Sequence, residues 1–314
     1  MAKSYTIGRN LYGTLTKNTA TANLSLGDQL ANDDYRAICA VKDWPFLERL
    51  RTLTTIASTQ FYNLPYDCDQ VREIAVIVSS KRYVPKQAPD RAFWDKLNES
   101  SVTSDIPQYW YTFAGQVGLW PTPATASNTI NVTQKTRVID LNSADYSTGT
   151  ITSTVTTAGV TTVTGASVVW STSMVGRYIR ITLTDAAATL VGDGLWYEIA
   201  SVPTSTTLTL TRAYGGTAIA AATAAYTIGQ MPLLPEAYHD LPWIFAAGKY
   251  WEKEADDRGA SFLKQHGNFG ENGSLPTGRI ADLVKNWSSP NTDMVIDDGM
   301  DHDEIQNPNL TIMI

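Results

Sequence analysis

The spacing of apolar and polar positions predicts a first helix over residues 25–42, because its apolar side chains fall on one stripe. Ser25 is the predicted N-cap, and Asp28 occupies the capping-box position. Asp34 lies in the middle of the stripe, so either it pairs with a buried donor or the helix faces a polar partner. Pro45 excludes a helical conformation at the residue before it and ends the run.

Between about residues 50 and 141, apolar and polar positions alternate and turn residues recur, which predicts a compact antiparallel β unit. The predicted elements are a strand over 70–80, a short Asp-capped helical turn after Pro89, a hairpin over 108–125 that turns near Gly115 to Gly118, and a strand over 128–141.

The composition changes at Ser143, and from there to Gln230 the chain is rich in Thr and β-branched residues, with Gly at intervals and little Lys or Glu. Thr suits the exposed face of alternating strands. We predict an inserted small β-barrel or sandwich whose ends lie close together, with aggregation-prone low complexity as the alternative. Its predicted core residues are Met174, Tyr178, Ile181, Trp196, Tyr197, Ile199, Leu208 and Leu210.

After this inserted segment, the cassette of residues 143–230, the spacing of apolar residues becomes that of a helix. Pro235 suits a helix start, and one apolar stripe runs from Asp240 to His266. If this helix is continuous, it is roughly 40 Å long. A short helix is predicted after Gly278, and its stripe ends at Trp287.

Both ends of the chain are polar. Residues 289–314 are polar and acidic up to the last five positions, so this segment buries little of itself and is predicted to order on a partner. The Thr- and Asn-rich first twenty-odd residues are interpreted in the same way. The predicted fold class is therefore α+β, with a helical part packed beside an antiparallel β part. The predicted domains are a discontinuous core of 1–142 and 231–288, an inserted β domain of 143–230, and a tail of 289–314.

The net charge of −7, from 24 basic and 31 acidic residues, argues against a protein that wraps a DNA duplex, but it suits a protein past which DNA slides. Two cysteines, Cys39 and Cys68, are expected to be free thiols in a reducing compartment. The N-terminus lacks the apolar core of a signal peptide, and no apolar run approaches a membrane span. We therefore expect synthesis in the cytoplasm.

Sequence motifs for catalysis are absent: the chain has no Walker A loop, nucleophile elbow or zinc-binding motif. His239 and Asp240 could form a catalytic pair, but an Asp at a helix start is more simply a cap. The acidic cluster at 297–304 could hold a divalent cation, but its spacing does not match an EF-hand, and a solvated acidic tail is the preferred interpretation. We predict no enzyme activity, cofactor or metal.

Aromatic residues are abundant, with nine Trp and fifteen Tyr. The Tyr109–Tyr111 stretch and Trp120 could form a stacking platform for a sugar. Alternatively, they alternate across a hairpin, one set packing in the core and the other against a neighbouring subunit. His266, on the apolar stripe, is interpreted as a core or interface residue.

The order of several segments resembles the head-to-tail adaptor (connector) proteins of tailed bacteriophages. The segments are an initial helix, WPFL (44–47), LTTIASTQFYNLPYD (53–67), a strand from Val71, GQVGLWPTPAT (115–125), and MPLLPEAYHDLPWIFAAGKYWEKEADD (231–257). Together they cover 25–141 and 231–287. The cassette at 143–230 departs from the short form of the family, and it is similar to small β domains found in other phage structural proteins.

The resemblance implies a ring, usually of twelve copies, that docks under the portal protein and extends the DNA channel to the tail or nozzle proteins. It implies a location in the virion neck after synthesis in the host bacterial cytoplasm. The partners would be the portal, the tail, neighbouring copies, and genomic DNA that passes without sequence-specific binding.

In such a ring, aromatic residues and prolines at the corner between the helical and β parts would set a fixed angle between them. The candidate joint residues are Trp44, Pro45, Phe46, Phe61, Tyr62, Pro65 and Tyr66. The candidate interface residues are Trp110, Trp120, Trp251, His266, Leu310, Ile312 and Ile314. The alternative function is a virion receptor- or carbohydrate-binding module that uses 143–230. A tail-associated hydrolase would need convergent carboxylates, for which no spacing argues.

Overall fold

A computed structural model describes residues 2–157, 159–184, 190–254 and 278–287, together with the single positions 257 and 259. Within these residues the fold is mixed α+β, as predicted, with five α-helices and three sheets. The helices are α1 (Tyr5–Thr16), α2 (Thr21–Ala40), α3 (Arg91–Leu97), α4 (Leu241–Lys253) and α5 (Gly278–Trp287).

Two four-stranded sheets form the first β part, in the orders β1-β8-β3-β4 and β2-β7-β6-β5. Their strands are β1 (Glu48–Thr54), β2 (Phe61–Asn63), β3 (Cys68–Val78), β4 (Lys81–Tyr83), β5 (Lys86–Gln87), β6 (Tyr109–Phe113), β7 (Gln116–Trp120) and β8 (Thr129–Thr136). Neighbouring strands in these two sheets pair antiparallel, except β5 with β6, which are parallel. Alternate residues of these strands bury one shared core, which includes Ile74, Trp110, Leu119 and Val132.

Several sequence predictions for this part are confirmed. Strand β3 corresponds to the predicted strand over 70–80, and β6 and β7 form the predicted hairpin. The hairpin turns at Ala114 and Gly115, where φ is positive at both residues. Asp90 caps α3, because its carboxylate accepts a hydrogen bond from the Phe93 backbone N–H at 2.7 Å.

A seven-stranded antiparallel sheet follows, in the order β14-β9-β10-β13-β12-β11-β15. Its strands are β9 (Thr150–Thr157), β10 (Val160–Ala166), β11 (Tyr178–Ile181), β12 (Tyr197–Thr204), β13 (Thr207–Leu210), β14 (Ala220–Ala224) and β15 (Tyr226–Gly229). The sheet has a hydrophobic core of its own. Its entry and exit lie side by side, since the Gln230 side-chain oxygen accepts bonds from the backbone N–H groups of Asn142 and Ser143, both at 2.9 Å. The division into an inserted domain stays a prediction.

Six of the eight residues predicted for the core of this sheet are buried, but Tyr178 and Trp196 are only partly buried. Each of these two residues immediately precedes a buried one, Ile179 and Tyr197 respectively. Successive residues of a strand face opposite sides, so the prediction placed Tyr178 on the wrong side. The same one-residue offset applies to Trp196, at the entry to β12.

The helical layer consists of α1, α2, α4 and α5 around a second core. The prediction that the first twenty residues form a polar extension is wrong, because they contain α1, whose Ser4 N-cap accepts a bond from the Ile7 N–H. Helix α1 forms because it buries Tyr5 and Tyr12 against the other helices. The predicted cap Ser25 is also wrong, since it lies inside α2, which begins at Thr21.

The predicted long C-terminal helix is shorter than its apolar stripe. Helix α4 has 13 residues and ends at Lys253, so it is about 20 Å long at about 1.5 Å per residue. The remainder of the stripe, 260–266, lies outside the described residues, as does the predicted tail 289–314. Helix α5 follows its prediction, with Ile280 and Leu283 fully buried.

Both cysteines are free, as predicted, and the structure buries both of them. Cys39 lies in α2 and Cys68 begins β3. Burial raises the pKa of Cys39 to about 12, and burial together with neighbouring aspartates raises the pKa of Cys68. Both thiols are therefore in the weakly reactive protonated form at neutral pH.

Candidate functional site

The first group of predicted joint residues attaches the start of β1 to the helical layer. Trp44 is 3% exposed, its indole N–H donates to the Ile38 carbonyl at 2.9 Å, and its ring stacks on Phe46 at a centroid distance of 5.2 Å. The Phe46 ring in turn meets the edge of Trp287 in α5 at 6.0 Å. Pro45 opens the single 3₁₀ turn between α2 and β1. These rings join two helices to the first strand.

The second group belongs to the β part instead. Phe61 packs edge-on against Trp94 of α3 at 6.1 Å. Tyr62 is buried between the two four-stranded sheets, and its hydroxyl donates to the Thr59 carbonyl at 2.7 Å. Tyr66, after Pro65, is 67% exposed and borders a cleft that β1, β8 and β12 also line. The structure therefore places the seven joint residues at three locations, and their common role in setting an angle stays a prediction.

A second junction joins the helical layer to the segments on either side of the seven-stranded sheet. Asn32 of α2 binds the backbone of Leu141 twice, through its amide N–H (3.1 Å) and its side-chain oxygen (2.7 Å). The Ser4 hydroxyl donates to Asp145 at 2.7 Å, and the Gln230 amide donates to the Asp140 carbonyl at 2.8 Å. Sequence reasoning missed these polar contacts, because each joins residues far apart in the chain.

An ion pair joins β1 to β12 directly. The Arg49 guanidinium lies 2.7 Å from a carboxylate oxygen of Glu198, and both side chains are less than a quarter exposed. Burial lowers the pKa of Arg49, but the hydrogen bond and charge of Glu198 outweigh burial and raise it. One signal was visible in the sequence: Arg49 and Arg51 stand two apart in a strand, so they face the same side.

Asp34 is paired, as the first of the two alternatives predicted, but its partner Lys249 is 42% exposed and is not a buried donor. Asp34 itself is 1% exposed, and its Oδ1 accepts a bond from the Lys249 ammonium of α4 at 2.5 Å. Its Oδ2 has no hydrogen-bond partner among the described residues. Burial raises the pKa of Asp34 to about 6, although Lys249 acts in the opposite direction. The pair ties α2 to α4 through a carboxylate whose pKa is raised by burial.

Three interface candidates lie within the described residues. Trp110 is 3% exposed in the β core, and Trp251 is 9% exposed beside Tyr250 at a centroid distance of 5.2 Å. Trp120 is half-buried against Tyr109 at 6.2 Å. Trp110 and Trp251 thus present little surface to a neighbour in the isolated chain. The remaining candidates, His266, Leu310, Ile312 and Ile314, lie outside the described residues.

The aromatic hairpin packs against α3. Tyr111 stacks on Trp94 at 5.7 Å, and Tyr109 meets Phe93 at 5.1 Å. These rings contact one another and the helix, which corresponds to the core-packing interpretation of the hairpin.

His239 and Asp240 do not form an acid–base pair. The ring nitrogens of His239 lie at hydrogen-bonding distance from backbone groups, Nε2 at 2.8 Å from the Leu234 carbonyl and Nδ1 at 3.3 Å from the Lys3 N–H, and burial lowers the pKa of His239. Asp240 makes no side-chain cap bond, which corrects its predicted role. It pairs instead with Lys3 and Arg279, whose bonds outweigh burial and lower the pKa of Asp240.

In the described ranges, no group of three or more His, Cys, Asp or Glu side chains is arranged to hold a metal ion. The acidic cluster at 297–304 lies outside those ranges. No described helix has the length and apolar character needed to cross a membrane.

Residues 10–147 match the family described as SU10 adaptor protein. The matched segment runs from within α1 through β8 and ends before the seven-stranded sheet. No curated protein matches the chain. The family match supports a phage adaptor family and a structural role, in agreement with the resemblance seen in the sequence.

Proposed function

We propose that this chain is a structural head-to-tail adaptor of a tailed phage, which forms a ring under the portal protein and provides the attachment surface for the tail. The observation that carries the proposal is the match of residues 10–147 to an adaptor family. That segment contains most of α1, all of α2 and both four-stranded sheets. The seven-stranded sheet is an addition to it.

Ring formation requires each copy to hold its parts at the same angle, since head-to-tail contacts close a circle only if every copy has the same shape. Two sets of contacts support a fixed angle between the parts of each copy. One is the packing of the aromatic side chains of Trp44, Phe46 and Trp287, and the other is the Arg49–Glu198 ion pair. The usual number of twelve copies is part of the proposal.

The channel of the ring would conduct genomic DNA without binding it. A net charge of −7 supports this part of the proposal, because affinity for phosphates rests on an excess of Lys and Arg. The portal above and the tail or nozzle proteins below are the proposed partners, in the neck of the virion.

A receptor- or carbohydrate-binding module is less well supported. Tyr197 and Tyr226 of the seven-stranded sheet, and Trp170 in the segment between β10 and β11, are each about 2% exposed and belong to the core of the sheet, so these rings are not available to a sugar.

Electron microscopy of the chain mixed with its own portal protein tests the proposal, with each protein alone as the control. A ring of copies seated on the portal is the expected result, and its class averages give the copy number. A chain that stays separate from the portal in images and in sedimentation contradicts the proposal.

Deletion of 289–314 tests the proposed role of the tail segment. We expect the truncated chain to keep its circular dichroism spectrum and melting temperature but to bind the portal more weakly. Unchanged portal binding would remove the tail from the proposal without affecting the ring.

A further inference from the structure

A cleft of about 280 Å³ lies where three parts of the chain meet: strands β1 and β8, the helical layer, and strand β12 with the segment that precedes β11. Its charged lining residues are Arg49, Arg51, Asp67, Arg137, Arg177 and Glu198. The lining thus holds two more guanidinium groups than carboxylates.

The two carboxylates of the cleft are already occupied. Glu198 pairs with Arg49 at 2.7 Å. Asp67 accepts a hydrogen bond from Arg51 through one oxygen and from the Gln134 amide, at 3.0 Å, through the other. Neither carboxylate is therefore left to neutralise the remaining cations.

Arg137 and Arg177 are the remaining cations. Arg137 follows β8 and is exposed at the rim, while Arg177 precedes β11 and is half-buried. Among the described residues, no side chain forms a hydrogen bond or an ion pair with either guanidinium. Burial lowers the pKa of Arg177, as expected for a cation that has lost water without gaining a counter-ion.

A third unsatisfied group belongs to a residue of the same lining. Thr136 lines the cleft and is 5% exposed, and its buried Oγ1 has no hydrogen-bond partner in the described part of the chain. A buried polar group without a partner is unfavourable unless a ligand or water supplies one. The hydroxyl can donate, as both guanidinium groups do, so all three groups favour an acceptor.

We propose that this cleft is a binding site for an oxyanion with at least two acceptor oxygens, held by Arg137, Arg177 and the Thr136 hydroxyl. Guanidinium groups bind carboxylate and phosphate oxygens through charge-assisted hydrogen bonds. The bound anion would bridge the end of β8 to the start of β11. It would therefore stiffen the connection between the first β part and the seven-stranded sheet.

The oxyanion has two possible sources, a free phosphate or a carboxylate side chain of a second copy of this chain. The inference rests on the cleft and not on the proposed function. Binding of free phosphate to the dilute chain identifies the first source. Self-association that phosphate inhibits identifies the second.

The test uses the full chain, with sodium phosphate titrated against sodium chloride at equal ionic strength. Calorimetric titration and thermal unfolding measure binding, and sedimentation at high protein concentration measures self-association. We expect phosphate to raise the melting temperature or to reduce self-association. Arg177→Gln is expected to weaken the effect at least about tenfold, because it removes a charge-assisted bond.

Arg137→Gln and Thr136→Val are expected to act in the same direction as Arg177→Gln. Arg91→Gln, at an exposed arginine of α3, is the matched control and should leave the phosphate effect unchanged. Circular dichroism verifies that each variant is folded. The proposal is overturned if phosphate affects neither stability nor association, or if its effect survives in both arginine variants of the cleft.

Discussion

Replacement of Asp34 by Asn should change how the stability of this protein depends on pH. The Asp34 carboxylate is buried, with a pKa of about 6 in the folded chain against an ordinary value of 3.8. A raised folded pKa means that the folded state binds the proton more tightly than the unfolded state. The resulting stabilisation is complete below about pH 4 and is lost as the pH rises through about 6.

The contribution of Asp34 to the free energy of unfolding follows from the shift in its pKa. One pKa unit corresponds to about 1.4 kcal/mol, so the full contribution of Asp34 is about 3 kcal/mol. Between about pH 5 and about pH 7.5, the free energy of unfolding should fall by about 1.4 kcal/mol because of this group alone. The neighbouring charges are Lys249, which favours the ionised form, and Asp33, which opposes it.

Asp34→Asn keeps an acceptor for Lys249 but removes the titrating proton. We expect the variant to lose this part of the pH dependence. At about pH 7.5 it should be as stable as the parent chain or more stable, by up to about 3 kcal/mol, because burial outweighs the attraction of Lys249 in the parent.

Urea unfolding, followed by tryptophan fluorescence at several pH values, measures the difference between the two chains. Asp33→Asn is the matched control, since its carboxylate is exposed and pairs with Arg36 on the surface, where such pairs contribute little. If Asp34→Asn is clearly less stable than the parent at neutral pH, the ion pair outweighs burial and the reasoning is refuted.

Two further predictions concern packing and the junction. In Gly27→Ala, the added methyl would lie 2.4 Å from a ring carbon of the fully buried Tyr12, so we expect the free energy of unfolding to fall by about 1–3 kcal/mol. The control is Ser25→Ala, at an exposed position of the same helix, which should lower it by less than about 0.5 kcal/mol. Urea unfolding measures both variants. Equal effects of the two substitutions would contradict this packing. Glu198→Gln leaves Arg49 without its counter-ion and should lower the free energy of unfolding by about 1–3 kcal/mol. Thermal unfolding measures the change. An unchanged melting temperature would show that solvent replaces the ion pair.

The sequence by itself determined the elements whose pattern is local. Period-two alternation located β3, β8 and the β6–β7 hairpin, and Asp90 marked the start of α3. The same alternation identified six of the sixteen buried residues in the core of the seven-stranded sheet. The order of the N-terminal segments also indicated a resemblance to phage adaptor proteins, and the family match over 10–147 supports that resemblance.

Tertiary structure decided where local patterns are weak or continue past the end of an element. Helix α1 is rich in polar and small residues, and it forms where Tyr5 and Tyr12 pack against α4. Helix α4 ends at Lys253 although its apolar stripe continues in the sequence. A periodic pattern of apolar residues indicates that one face of a helix or strand is buried, but it does not identify the surface that packs against this face.

The same limit applies to the charged groups. Asp34 and Lys249 are 215 positions apart, and Arg49 and Glu198 are 149 apart. Sequence reasoning recognised that Asp34 needed a partner, because a carboxylate on an apolar stripe is unfavourable alone. Only the packing of distant segments determined which cation meets it and which arginines are left unpaired in the cleft, since those distances depend on the whole path of the chain.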